Sequence, residues 1–380
     1  MVGCTFVDDP AVDGNITQDA GGRTSDNQEK EKCTKASIDD GGTPNHATHQ
    51  ADGMFVVREK LREQGISAEG TDILLASWRP GTEKQYRPHV NRWTKFCNRG
   101  DFDPLNPTLS DVINFLSETF HRGVGYECVN TARGAFSSLG IVVGGCCAGN
   151  HPLVNRFMKG VFNLRPSKPR YSETWDVKPV LQKLKMMDLL HSLSLKELTL
   201  KLVMLMALTQ AARVQTLHLL MLKNINIEED SISVWLGGNI KQCRPKFNVK
   251  FVKFQAYAKD KRLCVCETLK CYLDKTKNLR QDGEQEDQKL LISTIKPHKE
   301  VSKDTIARWI RRMLVMSGVD TTKYSAGSVR PAAASKAKAM AMPITFIMAK
   351  AGWSSEATFA KYYDKIIVQD SDTFQDAVLE

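Results

Sequence analysis

The chain has 380 residues, 42% of them hydrophobic, which is enough for two or three domains with cores of their own. Its net charge is +10, yet the first 70 residues hold seven Lys and Arg against thirteen Asp and Glu, a balance of −6, so the remainder carries +16; a body that basic points to a polyanionic partner, nucleic acid first. No apolar run approaches the roughly 20 residues of a membrane span, and the opening MVGCTFVDDPAVDG carries aspartates where a secretory signal needs basic residues, so an intracellular soluble protein is expected.

Residues 1 to about 65 are rich in Gly, Asp, Thr, Ser, Asn and Gln, with few large apolar residues before Phe55. Such a segment cannot bury enough surface to offset its ordering entropy, and 1–65 reads as a disordered acidic tail. From 66 to 165 the period is helical. In GTEKQYRPHVNRWTKFCNRG (81–100), Tyr86, Val90, Trp93 and Phe96 form an apolar stripe, with Lys84, Arg87, Arg92 and Lys95 on the other side. Pro88 requires either a place near the first turn or a kink.

A second helix follows Thr108, which can cap it, with Asp111 at its positive end and Val112, Ile113, Phe115, Leu116 and Phe120 as its apolar face. YECVNTARGAFSSLG (126–140) and HPLVNRFMKGVFNLR (151–165) supply two more, so 66–165 reads as a compact four-helix domain. The proline-rich stretch 166–180 reads as a linker to a second domain, 181–380.

The second domain is mixed. Ser194 and Glu197 make a capping box for LKELTLKLVMLMALTQAARV, apolar almost all round and therefore a buried helix. NINIEEDSISVWL and PKFNVKFVKF alternate with period two, with Ile232, Val234 and Leu236, then Phe247, Val249 and Phe251, on the apolar sides of antiparallel strands. Helices return at CETLKCYLDKTK, at SKDTIARWIRRMLVMSG with Ser302 as cap, and at PITFIMAKAGW. There is no internal repeat. The fold class is thus α+β, mostly helical, with a small antiparallel sheet in the second domain.

The ten cysteines are scattered, with no disulfide framework. Cys264, Cys266 and Cys271 are close enough to suggest a metal site, but without a matching CxxC or a following His pair they read as core thiols of a helix.

Four motifs carry chemistry, in this order: LTQAARVQTLHLLML (208–222) with Arg213, WLGGNIKQCRPKFNVKF (235–251) with Lys241, KYSAGSVRPAAASKA (323–337) with Arg330, and AGWSSEATFAKYYDK (351–365) with Trp353, Tyr362 and Tyr363. Each residue alone has a plainer reading. Arg213 can cap carbonyls at the end of the buried helix. Lys241 can be solvated, Arg330 can form a loop salt bridge, and Trp353 can be core.

Taken together, and with SWRPGTEKQY, HPLVNRFMKGVFNLRP, TWDV and KPHKEVSKDTIARWI, residues from about 77 to 365 resemble the tyrosine recombinases, also called phage-integrase-like proteins, most closely those of DIRS-like (Ngaro-type) retrotransposons. The resemblance implies a helical, SAM-like core-binding domain and a mixed α/β catalytic domain closing on double-stranded DNA as a clamp. It also implies assembly of two or four protomers on DNA, no metal or cofactor, and residence in the nucleus with that substrate. By the same resemblance Arg213 and Arg330 bind the scissile phosphate, Lys241 is the general acid, Trp353 takes the His/Trp position, and Tyr363 is the nucleophile. Lys246 and Lys250 are substitutes for Lys241, and Tyr362, at nine residues after Trp353, is the alternative nucleophile.

These residue types suit that chemistry. Attack of a phenol on a phosphodiester builds negative charge on the non-bridging oxygens, which a metal-free site must meet with fixed cations. Arginine does so with a planar, always charged fork. A 5′-oxygen leaving group needs a proton, and a phenol that titrates at about 10 needs help to ionise. Two positions depart from the family pattern: Gly327 stands where an HxxR histidine is usual, and Thr216 stands where an acidic residue often follows the first arginine. The chain is therefore expected to be a DNA recombinase, or a weakened or inactive DNA-binding derivative of one.

Overall fold

The computed structural model describes residues 53–167, 172–241, 243, 248–280, 288–353 and 355–368. They fall into two compact units divided between Pro169 and Arg170. Among the described residues there are fourteen α-helices and a few short strands, a mostly helical α+β chain.

The first unit is built from α1 (Gly53–Glu63), α2 (Ala68–Ala76), α3 (Pro80–Gly100), α4 (Leu109–His121), α5 (Tyr126–Ser138) and α6 (Pro152–Leu164). Helix α1 lies within the stretch read as tail. Met54 and Val57 are buried with Tyr86, Val90 and Ala135, so a few apolar residues in a polar stretch suffice where a groove between helices receives them. Residues 1–52 lie outside the described residues. The four expected helices are present as α3 to α6, within a residue or two of their expected ends, with α1 and α2 added.

Thr108 opens α4 with a reciprocal capping box to Asp111. Helix α3 runs on past Pro88, well inside it and not near its first turn. Between α5 and α6, Val142–Val143 (β1) pairs with Cys146–Cys147 (β2) across Gly144-Gly145, both at positive φ (57° and 78°) as a tight two-residue hairpin turn requires.

Trp93 organises this unit. It is 1% exposed, packs against Phe96, Phe102, Phe115 and Phe136 with ring centroids 4.8–5.9 Å apart, and donates its indole N–H to the Pro104 carbonyl at 2.9 Å.

The second unit contains β3 (Glu173–Thr174), α7 (Lys178–Met186), α8 (Leu195–Thr209), α9 (Val214–His218), β4 (Asn226–Ile227), β5 (Ser231–Trp235), β6 (Phe251–Gln255), α10 (Val265–Thr276), α11 (Lys303–Met316), α12 (Val329–Ala339), α13 (Ile344–Ala351), α14 (Glu356–Tyr362) and β7 (Ile366–Ile367). Trp175, Val177 and Val180, from the stretch read as linker, are part of its core.

Helix α8 is the axis: every residue from Leu198 to Ala207 is buried, and the Ser194–Glu197 capping box opens it as its sequence indicates. Lys201, the one charge in that buried stretch, is fully buried. The ammonium donates to the Leu184 carbonyl at 3.0 Å and to that of Met187, carbonyls that the end of α7 leaves without helical partners. Burial pushes this lysine below its usual range.

Strands β4, β5 and β6 form an antiparallel sheet in that order. Ile232 and Val234 face the core as read, but β6 does not present Phe251 there. Its core face is Val252 and Phe254, opposite Val234 and Ile232, and the parity of a strand then turns Phe251 outward to 50% exposure, against Trp235. Phe247 lies outside the described residues. Cys264, Cys266 and Cys271 are buried in the core, and burial pushes the Cys266 thiol up to about 11.

One group makes the first unit sensitive to acid. His89 is 7% exposed, and its Nδ1 has no hydrogen-bond partner among the described residues. Burial, and secondarily Arg92, lowers its pKa to about 3. The unfolded imidazole titrates at about 6.5. Because the folded pKa is depressed, the contribution is full above pH 6.5 and is lost as pH falls toward 3, by up to about 1.4 kcal/mol per pH unit. Hydrogen exchange of α3 peptides in urea, compared between pH 7.5 and 5, should show this slope in wild type and a flatter one in His89→Phe; equal slopes would mean that the imidazole is solvated.

Candidate active site

Helix α8 ends in a left-handed turn. Ala211 has φ 41°, and the Ala212 amide reaches back to the Ala207 carbonyl at 3.0 Å. A non-glycine residue is strained there, and the turn leaves the Ala211 carbonyl facing the interior. The chain then extends through Arg213, the N-cap residue of α9 (φ −80°, ψ 150°). Arg213 is half-buried, and its Nη1 is buried with no hydrogen-bond partner among the described residues. It therefore does not cap the carbonyls of α8 with that nitrogen.

Arg330 does not sit in a loop. A single 3₁₀ turn, Ala326–Ser328, leads into α12, and Arg330 and Pro331 occupy its first turn, where proline's missing N–H costs nothing. The guanidinium is 3% exposed. Nη1 donates to the Ala211 carbonyl at 2.7 Å and Nη2 to the Ala351 carbonyl at 2.8 Å. The turn that holds Gly327 is itself tied down: Trp175 Nε1 donates to Ser328 Oγ at 2.9 Å, and that hydroxyl donates to the Ser325 carbonyl at 2.7 Å.

Helix α13 stops at Gly352, φ 70°, and the Trp353 amide folds back to the Met348 carbonyl at 2.9 Å. That reversal brings the indole over the guanidinium, with Arg330 Cζ 4.4 Å from its ring centroid. Trp353 is 8% exposed, and its Nε1 is buried with no hydrogen-bond partner among the described residues.

Helix α14, capped by Ser355, ends at Tyr362. Tyr363 follows as its C-cap, amide bonded to the Phe359 carbonyl at 2.9 Å. The Tyr363 ring lies 4.3 Å from Trp353, centroid to centroid, with Arg330 Cζ at 5.2 Å. Tyr362 instead faces its neighbour, with Lys361 Nζ 5.2 Å from its ring.

Arg330, Trp353 and Tyr363 are thus brought together, and the main chain brings in Arg213, two residues from the carbonyl that Arg330 holds. Lys241 is half-buried in a turn of the β5–β6 connection, beside buried Ile240 and Cys243. Lys250 is exposed and Lys246 is outside the described residues. The two carbonyls that orient Arg330 have no signature in sequence, because any residue supplies one. Trp175 was visible only as part of the TWDV phrase.

Residues 180–366 match the phage integrase family. The fold of the chain is similar to that of XerH site-specific recombinase, solved bound to palindromic difH substrate in a post-cleavage complex. There the TM-score is 0.53 and the identity 12%, over 92% of each chain. It is also similar to Tn1549 transposon integrase, solved in complex with transposon right end DNA. In that case the TM-score is 0.54 and the identity 11%, over 87% of this chain and 98% of the other. At such identities the likeness establishes the tyrosine recombinase fold. No curated protein sequence matches the chain.

Holding two carbonyls at once is a property of arginine's fork that one ammonium lacks. Arg330→Lys should therefore leave one buried carbonyl unpaired and lower the stability of the second unit by about 1–3 kcal/mol, read as a fall in its melting temperature. An unchanged melting temperature would show that the two contacts do not hold the domain together.

Proposed function

We propose that this chain is a DNA recombinase that breaks and rejoins strands through a tyrosyl intermediate. The observation that carries the reading is the guanidinium of Arg330, set against Trp353 and Tyr363 in an integrase-family domain. A cation fixed by two carbonyls and an indole is oriented before substrate arrives, which is what stabilising charge on a scissile phosphate requires.

In this reading the Tyr363 phenol oxygen attacks phosphorus, the bond to the 5′-oxygen breaks, and a 3′-phosphotyrosyl link and a free 5′-hydroxyl result. The phenol gives up its proton, and Lys241 supplies one to the leaving oxygen. Arg213, with a buried Nη1, meets the developing charge together with Arg330. Attack by a second strand's 5′-hydroxyl reverses the step and conserves bond energy. The basic first unit is the DNA-holding domain, and several protomers assemble on two duplexes. The motif phrases favour a mobile-element origin among DIRS-like retrotransposons, and a chromosomal substrate favours the nucleus.

A second reading, a DNA-binding protein that no longer cleaves, is favoured by two particular observations. Gly327 removes the usual histidine, and both terminal nitrogens of Arg330 already donate to the main chain.

Nicked DNA carrying candidate element ends should trap a covalent adduct on a denaturing gel, absent in Tyr363→Phe and retained in Tyr362→Phe. Adduct lost only in Tyr362→Phe would reassign the nucleophile. No adduct, with the same DNA bound tightly and binding weakened by about 0.9 log units per log unit of salt for each phosphate contact, would establish the second reading. Gly327 has the helical backbone of a 3₁₀ turn, so histidine is conformationally allowed there. Gly327→His is expected to raise the cleavage rate by about 10²–10⁴-fold if proton transfer is what the site lacks.

A further inference from the structure

Ser335 lies on α12 five residues beyond Arg330, about one and a half turns along, and is 3% exposed. Its hydroxyl donates to the Tyr363 carbonyl at 2.9 Å and accepts from the Lys365 amide at 3.0 Å. One side chain therefore holds the main chain on both sides of Asp364, where α14 has ended and its last carbonyls lack helical donors. Lys338, one turn further along α12, forms an ion pair with the Asp364 carboxylate. That pair is exposed and contributes little, so the buried hydroxyl is the firmer tie.

The helix that begins with Arg330 thus also determines where Tyr363 leaves its own helix. Contact with Trp353, at an interplanar angle of 33°, limits the tilt of the phenol ring, but it does not fix how far the tyrosine sits along that ring face. The two bonds of Ser335 do. We propose that Ser335 is a positioning residue that keeps the Tyr363 main chain in register with Arg330. The proposal rests on the reading of Tyr363 as nucleophile. Its hydroxyl touches no reacting atom, and it acts through the placement of Tyr363, where a displacement of about 1 Å can cost about 100-fold in rate.

Two readouts on the full-length chain test this. By hydrogen exchange with residue-level fragmentation, Ser335→Ala should make the Lys365 amide exchange about tenfold faster, with α12 amides unchanged. On the nicked-DNA substrate, Ser335→Ala should slow adduct formation at saturating DNA at least tenfold without changing DNA affinity, and Ser335→Thr, which keeps the hydroxyl, should restore most of the rate. Unchanged protection of Lys365 would overturn the latch, whatever the activity. Lost protection with an unchanged rate, or a loss of DNA affinity in place of rate, would overturn the positioning role. If wild type itself forms no adduct, the recombinase reading fails, and the exchange at Lys365 alone decides whether Ser335 holds the Tyr363 segment.

Discussion

The second unit depends on a buried cation. A guanidinium removed from water must have its hydrogen bonds supplied by the protein, and the carbonyls of Ala211 and Ala351, with the face of Trp353, supply them. The three partners come from the end of α8, the end of α13 and the reversal that follows it. The arginine therefore joins segments that are more than 100 residues apart in sequence, and it forces each helix to stop where its terminal carbonyl can be used. The strained turn at Ala211 follows from this. Left-handed backbone at an alanine is unfavourable by about 1–2 kcal/mol, and it persists because it aims one carbonyl at Arg330.

The rest of the domain makes that arrangement rigid. Helix α8 is buried from Leu198 to Ala207 and is packed by α10 and α11, so its end is a fixed point. Lys201 uses the same device as Arg330 in a plainer setting, a buried cation satisfying the last carbonyls of a neighbouring helix. In both cases a charged side chain in the interior of an apolar core does structural work at a helix terminus, where main-chain acceptors are otherwise left over.

Much of this was legible in the chain. The capping boxes at Thr108 and Ser194, the cap at Ser302 and the stripe through Tyr86, Val90 and Trp93 are local signals, and the elements they predict are present. The order of Arg213, Lys241, Arg330, Trp353 and Tyr363 carried the resemblance to tyrosine recombinases. Less visible were features decided by partners distant in sequence. Phe251 and Phe254 are equally apolar, and only pairing with β5 determines which faces inward. Helix α1 looks like tail until a groove between helices receives Met54 and Val57. Ser335 is a small polar residue in an alanine-rich helix, and nothing in its sequence neighbours marks the two main-chain groups it binds.

The first and last strands described in the second unit lie side by side. Strand β3, near its start, pairs in parallel with β7, near its end, Glu173 opposite Ile366 and Thr174 opposite Ile367, and the Val368 amide extends the ladder to the Thr174 carbonyl. Topologically the unit is closer to a ring than to a string. Its last seam joins residues about as far apart in the domain as any two can be, and such contacts form only after the longest loop has closed. Of the contacts in the unit this seam therefore carries the largest loop-closure cost, and it ties the segment after Tyr363 to the segment before α7.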